Sequence, residues 1–237
     1  MKTIHPVDTD IFPPFAGFPA EGIEFLRKLK KNNNRPWFQK HKDDYELNVR
    51  FPMQCLIASL AERMAAEAPE IRFDPKKSIF RIHRDIRFSR NKEPYKTNIA
   101  AVFPMKGGKA PGESPGLYVG VEPGEVFVGG GVYMPDGGQL KGYRKSIAEK
   151  PQEFLSVLND RVFKRTLGGI QGETLRNAPL GFPKDHPMIE HLRHKQFYVG
   201  KVYDTPVCLQ ARFLETVAII FVAAMPLVRW LARVVRH

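Results

Sequence analysis

Ser78 to Phe103, SIFRIHRDIRFSRNKEPYKTNIAAVF, is the stretch on which the reading of the fold turns. Phe80, Ile82, Ile86 and Phe88 alternate with Arg81, His83, Asp85 and Arg87, so a two-residue period separates an apolar face from an ionisable one. That spacing predicts a strand. Arg84 falls on the apolar side, where a charge must be paired or turned outward by a bulge. The polar turn from Ser89 to Pro94 leads into a second strand, Tyr95 to Phe103, whose Ile99, Ala101 and Phe103 share a buried face.

Working towards the N-terminus, residues 20–68 read as helical. Ile23, Phe25, Leu26 and Leu29 form the apolar side of an amphipathic helix, with Arg27, Lys28 and Lys31 on the solvent side. Asn32, Asn33 and Asn34 stop it, and Pro36 suits the first turn of the next helix. Trp37, His41 and Tyr45 follow at four-residue spacing, where aromatic rings are expected to be core. Pro52 is expected to break or kink this run. A further helix passes through Leu56, Ile57, Leu60 and Met64 and ends at Pro69. The opening segment to Pro19 is proline-rich and expected to be extended, with Phe12, Phe15 and Phe18 packing on a neighbour.

Working towards the C-terminus, residues 104–116, PMKGGKAPGESPG, predict a mobile loop. Lys109 is not followed by Ser or Thr, so the loop lacks the phosphate-cradling Walker spacing. LYVGVEP and EVFVGGGVYMP predict two strands turning at Pro123 and Gly124, which completes a strand-rich section over 78–134. Gly129, Gly130 and Gly131 mark a bulge or a close approach of other backbone. Helical period returns over 136–160, through Leu140, Tyr143, Arg144 and Ile147 and then from Pro151. Phe197, Val199 and Val202 predict a strand over 195–203, and 206–235 is helical again. Its least polar run, VAIIFVAAMPLV, is about half of the roughly 20 residues a bilayer crossing needs and contains Pro226. It reads as a buried helix, so no membrane span is expected.

The chain has 237 residues and no evident linker, which suits one domain. Its 43% hydrophobic and 26% charged residues argue against long disorder. A net charge of +12 favours anionic partners. Cys55 and Cys208 make neither a disulfide framework nor a thiolate metal site, and the N-terminus lacks the apolar run of a secretory signal. A cytoplasmic protein in a reducing compartment is expected.

Arg81, Arg84-Asp85, Arg87-Phe88-Ser89, Lys92 and Pro94-Tyr95-Lys96-Thr97 together resemble the signature of the family called domain of unknown function 2461. Asn32-Asn33, Arg35, Trp37-Phe38, Lys42 and Tyr45 resemble its N-terminal motif. Gly129-Gly130-Gly131, Pro135, Leu140 and Arg144 resemble the middle one, and Asp185-His186-Pro187 with Lys195 the late one. Asn91 stands where the family often has Asp, so no carboxylate precedes the turn lysine here. The resemblance covers nearly the whole chain and implies one α+β domain: a mainly antiparallel sheet packed with helices from the N- and C-terminal parts. It implies no particular activity.

The hairpin is the expected site of an anionic or phosphorylated small molecule. Arg81, Arg84, Arg87, Lys92 and Lys96, with Arg144 completing the set, are its expected ligand-binding residues, since guanidinium and ammonium groups clamp phosphate or carboxylate. Asp85 and Tyr95 are the candidate proton-transfer groups. The same residues also fit an internal salt-bridge lattice that binds nothing. A nucleic-acid-binding module is the alternative function, and a non-catalytic interaction protein the second. His186, Glu190 and His194 share a helical face but spread over two turns, too far for one ion, so no metal site is expected. No nucleophile elbow, dinucleotide fingerprint or zinc motif is present, so the sequence names no cofactor and no reaction.

Overall fold

The structure, a computed structural model, describes residues 12–106 and 114–235. Its N-terminal part contains α1 (Ala20–Lys31), α2 (Arg35–Lys40), α3 (Lys42–Tyr45), a π-helical turn over Glu46–Arg50 and α4 (Phe51–Arg63). Three strands follow, β1 (Ile99–Pro104), β2 (Gly116–Glu122) and β3 (Glu125–Val132). Then come α5 (Gly137–Glu149), α6 (Pro151–Asn159), α7 (Arg161–Leu167), α8 (Ile189–Leu192), β4 (Phe197–Tyr203), a 3-10 turn over Thr205–Leu209 and α9 (Phe213–Val234). The chain is an α+β fold built on one antiparallel sheet in the order β1-β2-β3-β4.

Strand alternation gives the sheet two different faces. Ile99, Ala101, Phe103, Leu117, Val119, Val121, Val126, Val128, Phe197 and Val199 are all buried on one face. The α9 helix packs on that side, chiefly across β3, and Phe221 meets Phe103 edge-on at 5.6 Å. At 22 residues and a mean hydropathy of 1.9, α9 is long and apolar enough to cross a bilayer, yet 67% of that apolar window is buried inside the molecule. It is the central core helix.

Several helix starts follow directly from side-chain chemistry. The Asn34 Oδ1 accepts from the Trp37 N–H at 3.0 Å, with Pro36 in the first turn. Asp136 and Gln139 form a reciprocal capping box at the start of α5, through bonds of 2.8 and 2.9 Å. Asp160 caps α7, a helix without a prior expectation, by accepting from the Phe163 N–H at 2.8 Å.

Three expectations are corrected. The first limb of the hairpin, from Ser78, is not a regular strand: it touches its partner only through isolated bridges at Ile79–Ala101 and His83–Tyr95. Regular pairing begins at Ile99. Pro52 does not end the helical run; the wider π turn before it absorbs the missing N–H and the ring, and α4 continues. The aromatic positions of the second run divide, with Tyr45 buried in the core and Trp37 half-buried, stacked on His41 at 4.1 Å. Most of the expected mobile loop, 107–113, lies outside the described residues, as do residues 1–11 of the opening segment.

Candidate functional site

Backbone bonds hold the two limbs of the hairpin together although neither is regular there. Phe80 donates to the Ala100 carbonyl at 2.9 Å, Arg84 to Pro94 at 2.9 Å, and Lys96 to Ile82 at 2.8 Å. This ladder sets which side chains face one another.

The expected cluster divides into paired groups and a remainder. Arg87 grips Asp85 with two bonds, Nε at 3.0 Å and Nη2 at 2.7 Å. The guanidinium holds the Asp85 carboxyl down to a pKa of about 2, so it is ionised, exposed and engaged at neutral pH. Arg84 is relieved by pairing, with Glu93 at 3.4 Å, and Lys92 donates to the Ile86 carbonyl at 2.9 Å. Tyr95 is only 2% exposed and stacks on Phe38 at 4.2 Å, so its ring belongs to the core. Arg144 is engaged elsewhere, donating to the carbonyls of Leu192 at 2.8 Å and His194 at 3.1 Å. Those bonds satisfy the end of α8.

Arg81 and Lys96 remain. Among the described residues neither forms a salt bridge with a carboxylate, although the Arg81 charge adds a last, small pull on Asp85. The Lys96 ammonium stands 5.0 Å from the centre of the Phe80 ring. Its pKa is lowered, first by burial and then by the positive charge of Arg81. Two cations thus repel each other at a partly desolvated spot, an arrangement that a nearby negative charge would relieve.

Phe80 is also where the hairpin meets a cleft. The sheet face turned away from α9 carries Val102 from β1, Gly116, Tyr118, Gly120 and Glu122 from β2, Glu125, Phe127, Gly129 and Gly131 from β3, and Tyr198 and Gly200 from β4. A cleft of about 540 Å³ lies along this face, within the size range of small-molecule pockets. Phe80, Asn98, Tyr118, Phe127, Tyr133 and Tyr198 supply its rings and amide, while Glu122 and Glu125 bring carboxylates to the turn between β2 and β3. Asn98 lines the cleft from the bend that joins Lys96 to β1.

The turn carrying the carboxylates is fixed from below. Thr205 accepts from the Gly124 N–H at 2.7 Å and donates to the Glu122 carbonyl at 3.2 Å. Burial raises the pKa of Tyr118, helped by the charge of Glu122 and by Tyr133, and burial likewise raises that of Tyr198. Both phenols therefore stay protonated and can donate hydrogen bonds. The arrangement places two cations at one edge, aromatic surface in the middle, and acceptors at the turn. Among the described residues no group of His, Cys, Asp and Glu is arranged to hold a metal ion.

Sequence reasoning missed the cleft, although a signal existed. Positions 116, 118 and 120, then 127, 129 and 131, then 198 and 200, intersperse glycines with aromatic residues on one strand face. Gly129 and Gly131 also have the structural cause expected of them: a Cβ at either would collide with β4 backbone, at the carbonyls of Val199 and Phe197.

Comparison with known families matches the chain over residues 21–230 to a family described as Conserved hypothetical protein (DUF2461). A search of curated proteins finds no match to the chain.

Proposed function

The chain belongs to this family of conserved hypothetical proteins, domain of unknown function 2461, and since membership carries no reaction with it, we propose a function from the site itself. The protein binds a compact anionic small molecule, phosphorylated or carboxylated, in the cleft on the outer sheet face, with Arg81 and Lys96 as the anion clamp. The observation that carries this reading is the Arg81–Lys96 pair, two cations without a salt bridge of their own, with Lys96 over Phe80, a ring that itself lines the cleft. Arg84, Asp85, Arg87 and Lys92 of the hairpin motif each have a direct partner, so an anion added there has Arg81 and Lys96 to meet. A reducing, cytoplasmic setting fits the two buried, free cysteines.

Asp85 and Tyr95 are not assigned to catalysis in this reading, because one is locked to Arg87 and the other is buried. The basic hairpin becomes largely a self-paired scaffold that sets two cations in position.

A second reading, a module for single-stranded nucleic acid, draws on the row of aromatic rings across the sheet, since bases stack on such rings. Glu122 and Glu125 in the same cleft count against a polyanion lying along it.

Thermal-shift titration of the purified chain with inorganic phosphate, ribose 5-phosphate, adenosine monophosphate and a short single-stranded oligonucleotide, at low and moderate salt, separates these. A ligand of the folded state raises the midpoint by mass action. A shift from a small anion that survives moderate salt and disappears in Lys96→Ala and Arg81→Ala supports the clamp. A shift from the oligonucleotide alone, collapsing with salt, favours the second reading. Anion-induced shifts unchanged in both variants would overturn the assignment.

A further inference from the structure

We infer that the ligand carries a single planar ring, which seats on the aromatic row while its short anionic tail reaches Arg81 and Lys96; this rests on the anion-binding reading above. Five rings lining the cleft follow one another across the strands. The centroid spacings are 6.5 Å from Phe80 to Tyr118, 6.0 Å from Tyr118 to Phe127, 6.2 Å from Phe127 to Tyr198, and 5.5 Å from Tyr198 to Tyr133. Rings at such distances make continuous aromatic surface.

Glycines lay these rings down. A Cβ at Gly120 would stand 2.6 Å from the Tyr118 hydroxyl, and one at Gly129 would stand 3.0 Å from the edge of the Phe127 ring. Phe127 also fills the space over Gly200. Any larger residue at these three positions would lift the rings off the sheet and close the cleft. The glycines thus keep aromatic surface low and the space above it open.

The tilt of the rings decides between one planar ring and a stack of them. Neighbours in the row are inclined by 48°, 55°, 70° and 58°. The surface is therefore corrugated, a ring face bounded by ring edges, and a trough of that form takes one flat group. Lys96 stands 5.0 Å from Phe80, the first ring of the row, so a ring resting near Tyr118 needs only a short tail to reach the ammonium. On the other side, Glu122 and Glu125 can accept bonds from amino or hydroxyl groups on the ring's outer edge. A nucleoside monophosphate and a hydroxyaryl phosphate share this chemistry.

The test is isothermal titration of the full chain with adenosine monophosphate, phenyl phosphate, ribose 5-phosphate and inorganic phosphate. At least one of the two ring-bearing phosphates is expected to bind about tenfold or more tightly than ribose 5-phosphate, the scale of one stacked ring. Tyr118→Leu, and independently Tyr198→Leu, should bring that affinity down to the ribose 5-phosphate level while leaving ribose 5-phosphate itself within about twofold. Both tyrosines are only partly buried, and circular dichroism verifies that each variant folds. Ribose 5-phosphate or inorganic phosphate binding as tightly as both ring-bearing probes overturns the ring while leaving the anion clamp standing. Failure of all four probes to bind removes the clamp and the ring together.

Discussion

The side chain of Asn33 exchanges two hydrogen bonds with the backbone of Tyr95, its Nδ2 donating to the carbonyl at 2.9 Å and its Oδ1 accepting from the N–H at 3.0 Å. An amide replaces a strand partner here, clasping the hairpin to the segment between α1 and α2. Tyr95 is buried, so its backbone groups depend on that clasp. Asn33→Ala should therefore destabilise the protein by about 1–3 kcal/mol, read from urea denaturation. A loss below about 0.5 kcal/mol would mean that water or another group satisfies Tyr95.

Two glycines with positive φ should respond very differently to substitution. Gly131 has φ +129°, and a Cβ there would overlap the Phe197 carbonyl and come within 2.6 Å of the Tyr198 Cα. Gly124 has φ +105°, but nothing lies within 4 Å of its Cβ direction. Gly124→Ala should cost only backbone strain, about 1–2 kcal/mol, whereas Gly131→Ala adds a clash in the middle of the sheet and should cost clearly more. Equal thermal midpoints for the two variants would show that β4 can move away from β3.

Much of this architecture is legible in the residues, and the part that is not has an identifiable cause. Pro123 and Gly124 mark the turn between β2 and β3, and the two-residue spacing of Phe197 and Val199 marks the buried face of β4, whereas Val202, counted with them, falls on the other face and is exposed. The first limb of the hairpin carries the same period and still fails to be a strand. There, polar side chains take up backbone groups that a ladder would use: Asp85 accepts from the Arg87 N–H, Asn91 from the Glu93 N–H, and Lys92 donates to the Ile86 carbonyl. Phe88, counted with the apolar face, ends 96% exposed. The candidate site was legible only as a list of cations. Which of them are free depends on partners such as Glu93, and the distant engagement of Arg144 depends on how α8 packs. No spacing in the sequence encodes either.

Arg87 and Lys96 should therefore separate cleanly in mutagenesis. The Arg87 guanidinium is largely exposed, with its own carboxylate on Asp85, whereas Lys96 feels the charge of Arg81 and stands over Phe80 at the edge of the cleft. Arg87→Ala should leave both the thermal midpoint and small-anion affinity within error, and Lys96→Ala should remove measurable binding while the protein stays folded. Loss of binding in Arg87→Ala with Lys96→Ala unaffected would place the anion at the hairpin tip instead.

The lowered pKa of Lys96 would give the proposed anion binding a characteristic pH dependence. Its folded-state value lies below the ordinary 10.5, with burial the first cause and Arg81 the second. In the free protein the unfolded chain therefore holds this proton more tightly, so the Lys96 contribution to stability rises with pH between the folded value and 10.5. A bound anion reverses the balance by favouring the ammonium form, and binding must take up a proton in that window. Affinity for a phosphate monoester, already fully ionised there, should fall as pH rises through the window, at lower pH than an ordinary lysine would produce. Calorimetric heats in the window should vary with the ionisation enthalpy of the buffer. Lys96→Arg carries a charge that does not titrate in this range, so a variant that still binds should keep its affinity across the window. An identical alkaline decline in Lys96→Arg would trace the pH dependence to another group and detach Lys96 from the clamp.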